Sequence, residues 1–296
     1  MSSLPTPHDG VRASRAASTY PRRAPLDHHV PSSLVQYNGS SPPLSTTDEL
    51  RELLLLYADR DSLRFCRRGR WILSASGAVH QRACGNKWAC PICSPKLLSE
   101  DREELAVVLH SNQGVLFLTF SISDSSEPLA RTLSNVLAVW SAAFSKGSWM
   151  GRYRERSQMC GWVRAVETTF SETGAHPHIH AVFVFNGDVP EGTEDALRGR
   201  WIASASSLGL QAEPEAMRAA TPAVVPPGEA RDKVAFYLTE QNAIRQSRPG
   251  HGRTPGDLLH SAALTGDADD LVRLREFHAA TKGRHKLQWS RGLRSP

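Results

Sequence analysis

The sequence predicts an α+β fold, an antiparallel sheet with helices on one face, together with a small cysteine-bearing segment. Two observations carry this prediction. Stretches with strand and helix periodicity follow one another in the order strand, helix, strand, strand, helix, strand over residues 114–239. Upstream of them, four cysteines fall within a short basic segment, residues 61–95. At 296 residues the chain can hold one large domain or two small ones.

Each predicted element has a signal of its own. The strands are short apolar runs bounded by turn residues, and the helices repeat apolar residues at three- and four-residue intervals. In chain order they are a strand at 114–121, a helix at 129–144, strands at 161–170 and 176–185, a helix at 194–208, a short strand near 223–225, and helices from 228 and over 269–280. That order is the split βαβ, or ferredoxin-like, arrangement.

Composition divides the chain into four segments. Residues 1–45 are rich in Ser, Pro, Arg and His without sustained periodicity, and are predicted to be disordered. Residues 46–105 hold a helix that starts near Thr47 and the cysteine-bearing segment. Residues 106–248 form the main sheet domain, and residues 249–296 form a basic C-terminal segment.

Basic side chains exceed acidic ones only slightly, with 35 Lys and Arg against 30 Asp and Glu. They cluster, however, in residues 64–70, 152–156 and 282–294. Such clusters favour a polyanionic partner, and nucleic acid is the partner that they indicate. The alternative is a solvated basic face.

Hydropathy indicates a protein outside the membrane. The sequence holds no run of about 18 apolar residues, so no membrane-spanning helix is predicted. No apolar stretch follows the basic residues near the N-terminus, so no secretory signal is predicted. We therefore expect a cytoplasmic protein without a membrane partner, whose thiols stay reduced.

Four cysteines predict a structural zinc site. Cys90 and Cys93 form a CPxC pair, Cys84 lies shortly before it, and Cys66 lies farther upstream. Four thiolates in this pattern are typical of a closed Zn²⁺ site, which folds a segment that has little core of its own. A redox CxxC pair or isolated buried thiols are the alternatives. The lone Cys160 is predicted to be a core residue.

Three alternate histidines, His176, His178 and His180, open the third sheet strand. Because successive strand side chains alternate between faces, the three imidazoles project from one face, and the apolar positions opposite can anchor the strand. Aligned imidazoles form half of a metal site, for an ion that the motif alone leaves open. The alternative is a histidine-rich edge strand without a ligand.

A candidate nucleophile lies in the helix expected from residue 228. Helical spacing places Lys233, Tyr237 and Glu240 on one face. A phenol, with a free pKa of about 10, needs a nearby base, cation or metal to act as a nucleophile. Lys233 can favour the phenolate, and Glu240 can accept or deliver a proton. The alternative is a tyrosine that only packs.

Five passages together resemble the rolling-circle plasmid replication initiators of the HUH endonuclease superfamily, with actinobacterial plasmid initiators the most similar subgroup. The passages are the cysteine-rich segment 84–93, the strand motif 117–120, the histidine motif 176–180, the tyrosine helix 234–239 and the ending 289–294. They occur in the family order, and the resemblance covers roughly residues 60–296.

The resemblance implies an enzyme that binds a plasmid's double-strand origin and nicks one DNA strand. A tyrosine attacks a backbone phosphate, stays joined to the 5′ side and frees a 3′-hydroxyl that primes synthesis. In this chain Tyr237 is then the nucleophile, and His178 and His180 bind a catalytic Mg²⁺ or Mn²⁺. Glu167 is the expected third ligand, and His176 is its competitor.

One position departs from the family pattern. Many members of the superfamily carry a lysine three residues after the tyrosine, where this chain has Glu240. Either Lys233 supplies the charge from the preceding turn, or Glu240 acts as a general base; a damaged active site is the third alternative. Several initiators of the family also act with a host helicase, although no residue here identifies one.

Two other functions share these features. A transposase or relaxase of the same superfamily would use the same chemistry on a different DNA site. A zinc-bearing DNA-binding repressor with a decayed metal strand would bind DNA without cutting it. The repressor would have no need of the Tyr237 hydroxyl, which separates it from the two enzymes.

Overall fold

The computed structural model describes residues 66, 71–73, 77, 79–81, 83–123, 127–145, 148–212, 223–239 and 252–294. Three predictions fall outside these ranges. They are the disordered segment 1–45, the helix near residues 47–56, and the role of Glu240.

The described chain forms six strands and seven α-helices. The strands are β1 (Trp71–Leu73), β2 (Val79–Gln81), β3 (Gly114–Phe120), β4 (Met159–Ser171), β5 (Gly174–Phe185) and β6 (Leu287–Trp289). The helices are α1 (Cys93–Ser111), α2 (Leu129–Trp140), α3 (Trp149–Ser157), α4 (Thr193–Ser207), α5 (Glu229–Thr239), α6 (Pro255–Thr265) and α7 (Ala268–Thr281). A π-helical turn, Ser141–Ser145, continues α2.

The main sheet is antiparallel, as predicted, and its strand order is β3-β5-β4-β6. β4 and β5 form a long hairpin in which Ser171 pairs with Gly174 across a two-residue turn. Gly174 has a φ of 132°, a backbone conformation that side-chain-bearing residues rarely adopt. The histidine strand β5 therefore lies inside the sheet, with β3 on one side and β4 on the other.

The two edges of the sheet are built differently from the sequence prediction. The expected strand near 223–225 is reduced to a single bridge on β3, in which Val224 pairs with Leu116. The other edge is β6, a short strand that the sequence did not reveal, and it comes from the C-terminal segment. Its apolar signal is short, and Lys286 and Gln288 interrupt it.

Helices cover both faces of the sheet, so the expectation of helices on one face is wrong. On the aromatic face, which we define by Phe120, Phe183 and the α2 residue Trp140, helices α2, α4, α6 and α7 complete a large core. On the histidine face, which we define by His180, Val182 and Val184 of β5, helices α1 and α5 pack. Because both faces are buried, β3 reads as a nearly continuous apolar run.

Helices α1 and α5 are joined at one end by a buried arginine. Arg231 of α5 donates from Nη1 to the carbonyl oxygens of Leu109 and Asn112, each at 2.6 Å, and from Nη2 to that of Gln113, also at 2.6 Å. These acceptors include carbonyls that the end of α1 leaves without helical partners. Arg231 therefore fixes the start of α5 against the end of α1.

The C-terminal segment completes the sheet domain. Ser290 accepts from the Trp162 amide and donates its own amide to the Trp162 carbonyl, both at 2.9 Å. A Cβ at Gly161 would lie only 2.3 Å from the Ser290 hydroxyl, so this approach needs glycine. The segment 249–296 thus contributes α6 and α7 to the aromatic-face core and β6 to the histidine-face core, and the boundary drawn at residue 105 falls within α1.

Candidate functional site

His180 lies at the centre of a polar group on the otherwise apolar histidine face. Its neighbours across the strands are Thr119 on β3 and Glu167, which lies two residues beyond its direct partner on β4. The His180 Nδ1 lies 3.0 Å from the Thr119 hydroxyl, and Nε2 lies 2.7 Å from Glu167 Oε2. Both His180 and Glu167 are only 4% exposed. Since a carboxylate only accepts hydrogen bonds, Glu167 directs the Nε2 proton of His180 toward itself.

The other two histidines have different surroundings. His178 pairs directly with Glu167 across the hairpin, and its Nε2 lies 3.4 Å from the Thr169 hydroxyl. Its ring centroid is 6.4 Å from that of His180. His176 lies near the turn, where Nε2 is 2.7 Å from the Ser171 hydroxyl. The fold therefore brings Glu167, and not His176, to His180.

Tyr237 reaches this group from α5. Its ring centroid lies 5.0 Å from that of His180 in an edge-on arrangement with an interplanar angle of 82°. Phe117 of β3 contacts both rings: it stacks on His180 at 6.0 Å and meets Tyr237 edge-on at 5.8 Å. Tyr237 is half-buried, whereas Ala235 and Leu238 of the same helix are buried in the core. The helix thus directs the phenol to the histidine strand.

Lys233 is engaged away from the sheet. Its Nζ pairs with Glu229 at 2.9 Å, and both side chains are exposed to solvent. The arrangement is that of an ordinary surface pair at i and i+4 on one helix, which contributes little free energy. The predicted role of Lys233 beside the phenolate therefore requires it to leave Glu229. Glu240, the other candidate beside Tyr237, lies beyond the last described residue of α5.

His178 and His180 on β5 and Glu167 on β4 are donors of a type that divalent ions accept. Imidazoles alone suit softer metals, whereas the carboxylate favours the hard ions Mg²⁺ and Mn²⁺. Glu167 and His180 already touch, but the three donors are not gathered within 4.8 Å of one another in the described structure. A metal held by all three would need His178 to turn about its side-chain dihedral angles.

The four cysteines of the segment before α1 are gathered. The ligand atoms of Cys66, Cys84, Cys90 and Cys93 all lie within 4.8 Å of one another. The Cys66 sulfur lies 3.3 Å from that of Cys93 and 3.6 Å from that of Cys90. All four cysteines are free thiols rather than disulfides. Their sulfurs therefore surround a space that a tetrahedral metal ion such as Zn²⁺ would fit.

Backbone amides support the cysteine cluster. The amide of Cys84 donates to the Cys66 sulfur at 3.4 Å, and the amide of Cys93 donates to the Cys90 sulfur at 3.3 Å. A hydrogen bond from Cys84 lowers the pKa of Cys90 to about 5, whereas the same contact raises the pKa of Cys84. Burial raises the pKa of Cys66 to about 11. Without a cation the cluster therefore favours few thiolates, and a bound metal would stabilise all of them.

Several basic residues that suggested a polyanion surface have structural partners instead. Lys286 is buried, and Arg294 forms a paired hydrogen bond with Glu104 of α1. Arg154 donates to the carbonyl oxygens of Met159 and Cys160 at the start of β4. Residues 64–70 lie outside the described ranges except for Cys66. Other members of these clusters, Arg152, Arg156, Lys282 and Arg291, are exposed, so the expected DNA surface stays a prediction.

Two residues of the site were missed in the sequence. Thr119 was seen only as part of an apolar strand motif, although it is the hydroxyl residue of that strand and directly faces His180. Arg231 was not singled out, because its charge gives no sign that it would be buried. Cys160, predicted as core, is half-buried against the histidine-face core.

Comparison with known proteins identifies related chains. Residues 78–198 match a family model described as a replication protein. A neomycin resistance protein of Streptomyces cyanogenus is 27% identical over 226 residues, covering 62% of this chain and 52% of the relative. The protein named Protein rep of Streptomyces lividans is 23% identical over 285 residues, covering 71% of this chain and 62% of the relative. These matches confirm the resemblance to replication proteins of actinobacterial type.

The chain thus spans between about half and three fifths of the length of these curated relatives. No solved structure has a significant match to it. Within the ranges that the structure describes, no helix is both long enough and apolar enough to cross a lipid bilayer.

Proposed function

We propose that this chain, which resembles plasmid replication initiators of actinobacterial type, nicks one DNA strand at a plasmid's double-strand origin and later joins it. One observation carries the proposal: Tyr237 lies against His180, which in turn is hydrogen-bonded to Glu167. A phenol, an imidazole and a carboxylate on one sheet face are the groups that a tyrosine transesterase needs. The names of the relatives, a replication protein and a Protein rep, support a role in replication.

The nicking step is a transesterification at a backbone phosphate. The Tyr237 oxygen forms a bond to phosphorus, and the bond from phosphorus to the 3′ oxygen of the preceding nucleotide breaks. The phenol loses its proton to a base, and the departing 3′ oxygen takes one up. Joining runs the same exchange in reverse, so the energy of the phosphodiester bond is kept in the tyrosine link.

The side chains around Tyr237 hold it for this attack. Phe117 contacts both the Tyr237 and His180 rings and is itself nearly buried, so it limits the positions of both and keeps water from that side. Thr119 and Glu167 fix the two nitrogens of His180. These contacts order the His180 and Tyr237 side chains before DNA binds, whereas metal binding would require His178 to turn and one nitrogen of His180 to exchange its present partner for the ion.

A divalent ion is part of the proposal. His178, His180 and Glu167 would hold Mg²⁺ or Mn²⁺, and the ion would supply stabilisation of the charge on the phosphate oxygens. His176 remains the alternative third ligand. A Zn²⁺ ion would occupy the four-cysteine cluster as a structural metal.

The experiment uses Tyr237→Phe, which removes the nucleophilic oxygen and keeps the ring. The protein is incubated with labelled single-stranded oligonucleotides that tile the origin of the plasmid carrying its gene, with MnCl₂ present, and intact mass is measured. We expect an adduct on the unaltered protein that maps to Tyr237, and neither adduct nor cleavage with the variant. Binding of the same oligonucleotides should persist in both.

The matched control is Tyr153→Phe. Tyr153 lies on α3, away from the histidine strand, and its hydroxyl donates a hydrogen bond to the Thr193 hydroxyl at 3.1 Å. This variant should cleave as the unaltered protein does. Cleavage that survives in Tyr237→Phe would exclude Tyr237 as the nucleophile, whereas DNA binding without any cleavage by the unaltered protein would favour the repressor. Undiminished cleavage in EDTA would exclude the divalent ion from the proposed mechanism.

A further inference from the structure

An exposed aromatic residue lies beside the proposed nucleophile. Phe236 is 49% exposed, although its neighbours Ala235 and Leu238 on α5 are buried. Single exposed apolar residues are common on protein surfaces and carry no argument alone. What distinguishes Phe236 is its place next to Tyr237 in the chain, and the residue that covers its ring.

Arg102 of α1 lies over that ring. The distance from its guanidinium carbon to the Phe236 ring centroid is 5.2 Å, within the range of a cation–π contact. A hydrogen bond from Arg102 Nη2 to the Ser99 hydroxyl at 3.4 Å helps hold the guanidinium. Because α1 and α5 pack together, the positive charge and the aromatic surface are presented as one unit.

The nearby carboxylates on α5 are already engaged. Asp232 pairs with His110 at 2.8 Å, and Glu229 pairs with Lys233. Both pairs lie one or two helical turns before Phe236. Asp232 and Glu229 each have a basic partner of their own, and the surface beside them offers a flat ring together with a guanidinium, which suits a ligand that combines a flat ring with a negative backbone.

We propose that Phe236 and Arg102 form a stacking platform for an unpaired base adjacent to the cleaved phosphate. Proteins that bind single strands combine aromatic faces, on which bases stack, with cations that neutralise the phosphates. Phe236 directly precedes Tyr237 on α5, about 100° around the helix from it, so a strand that leaves the Tyr237 hydroxyl over the solvent side of α5 would meet the exposed Phe236 ring. The inference rests on the proposed function and extends it from the cleavage reaction to the binding of the DNA strand.

The experiment measures binding apart from cleavage, in a Tyr237→Phe background that cannot form the adduct. Phe236→Trp in that background supplies a fluorophore at the platform, and its signal is taken as the difference from the background protein, which has seven tryptophans. We titrate with single-stranded oligothymidylate. We expect quenching that saturates with binding, and Phe236→Ala should weaken binding about 5- to 150-fold.

Matched variants separate stacking from loss of the fold. Phe236→Tyr keeps a flat ring and should restore affinity, and Arg102→Lys should weaken binding less than Arg102→Ala does. Val272→Ala removes another exposed apolar side chain, on α7, and should bind as the background protein does. Unchanged circular dichroism for Phe236→Ala would establish that its folding is intact.

The outcomes distinguish the platform from the nuclease. If the unaltered protein forms the adduct but Phe236→Ala binds as tightly as its parent, the platform is refuted and the nuclease proposal stands. If no adduct forms yet Phe236→Trp is quenched and Phe236→Ala binds weakly, the platform stands as a single-strand site. Absence of quenching together with unaltered affinity would overturn the platform in either case.

Discussion

Glu167 is a buried carboxylate that is hydrogen-bonded to the imidazole of His180, and both side chains are only 4% exposed. The contact costs desolvation and is stable only because Nε2 of His180 meets the carboxylate at 2.7 Å. Such a carboxylate either orients the imidazole or takes part in metal binding, and both roles depend on its charge.

Glu167→Gln tests that dependence. The amide keeps nearly the same shape and can still accept from His180, so we expect the fold to persist while cleavage falls about 100-fold. The measurement is the initial rate of oligonucleotide cleavage over a range of MnCl₂ concentrations. A lowered affinity for Mn²⁺ would indicate a ligand, whereas a lowered rate at saturating metal would indicate orientation of His180.

His176→Ala is the natural comparison. Its imidazole is held at the hairpin turn by Ser171 and Thr173. We expect this variant to retain most of the cleavage activity, and a loss as large as that of Glu167→Gln would make His176 the third ligand.

At the residue scale the histidines and the tyrosine could be found from the sequence because the chemistry of each residue type is narrow and their spacing is regular. Partners could not. Whether Lys233 bonds to Glu229 or to Tyr237 is decided by a rotamer, and the burial of Arg231 depends on residues more than 100 positions away in the chain.

Among the elements, α1 gives α5 its position. Arg231 satisfies three carbonyl oxygens at the end of α1, and it is 3% exposed. Charge-assisted hydrogen bonds of this kind contribute about 1.5–3 kcal/mol each when one partner is removed, with losses that do not add fully. The position of the start of α5, the helix that carries Tyr237, therefore depends on one side chain.

Arg231→Gln should lower the free energy of unfolding by about 2–4 kcal/mol, because three carbonyls lose a charged donor. Urea denaturation, monitored by circular dichroism, measures the free energy of unfolding. Arg131→Gln, which alters an exposed i, i+4 pair with Glu127, should change stability by less than about 0.5 kcal/mol. A similar small change for both variants would refute the role given to Arg231.

Element prediction succeeded where apolar periodicity was strong. The strands β3, β4 and β5 and the helices α2, α4, α5 and α7 were all expected close to their observed bounds. Helix α1 was missed because charged residues dominate its sequence and its buried stripe is narrow. Helices α3 and α6 and strand β6 are short, and a short run is hard to distinguish from a loop without its tertiary partners.

At the scale of the whole molecule, helix α1 connects the cysteine cluster to the helical layer on the histidine face of the sheet. Cys93 is the first residue of α1, and α1 runs from the cluster to the helix that carries Tyr237. A structural zinc site contributes roughly 10–16 kcal/mol of apparent binding free energy in finger peptides, which is comparable to the stability of a domain. Metal loss from the cysteine cluster should therefore disturb the histidine face through α1.

We expect one zinc ion per chain by elemental analysis, and Cys90→Ser should lose it. The thermal midpoint should fall, because the start of α1 loses its anchor, and DNA cleavage should fall with it. Cys160→Ser alters a cysteine outside the cluster and should keep both the zinc and the midpoint. Full zinc content in Cys90→Ser would exclude Cys90 as a ligand.

The prediction of the whole fold was wrong about the placement of the helices. The order of the elements indicated which strands exist. A second layer of helices requires both faces of the sheet to be apolar, and the apolar run of β3 carries that signal, but Glu167 and the histidines interrupt it on β4 and β5. The pairing of Glu167 with His178 across the hairpin was likewise readable only from the register.

Strand β5 faces two different environments on alternate residues: His178 and His180 on one side, Ile179 and Phe183 on the other. One codon inserted in frame within the strand would exchange the two sets, driving imidazoles into the aromatic core and exposing Ile179 and Phe183 to the polar group. Two codons would restore the sides but carry the histidines about 7 Å along the sheet, past Thr119 and Glu167. Insertions and deletions are therefore expected at the turns that flank β5 and not within the strand itself.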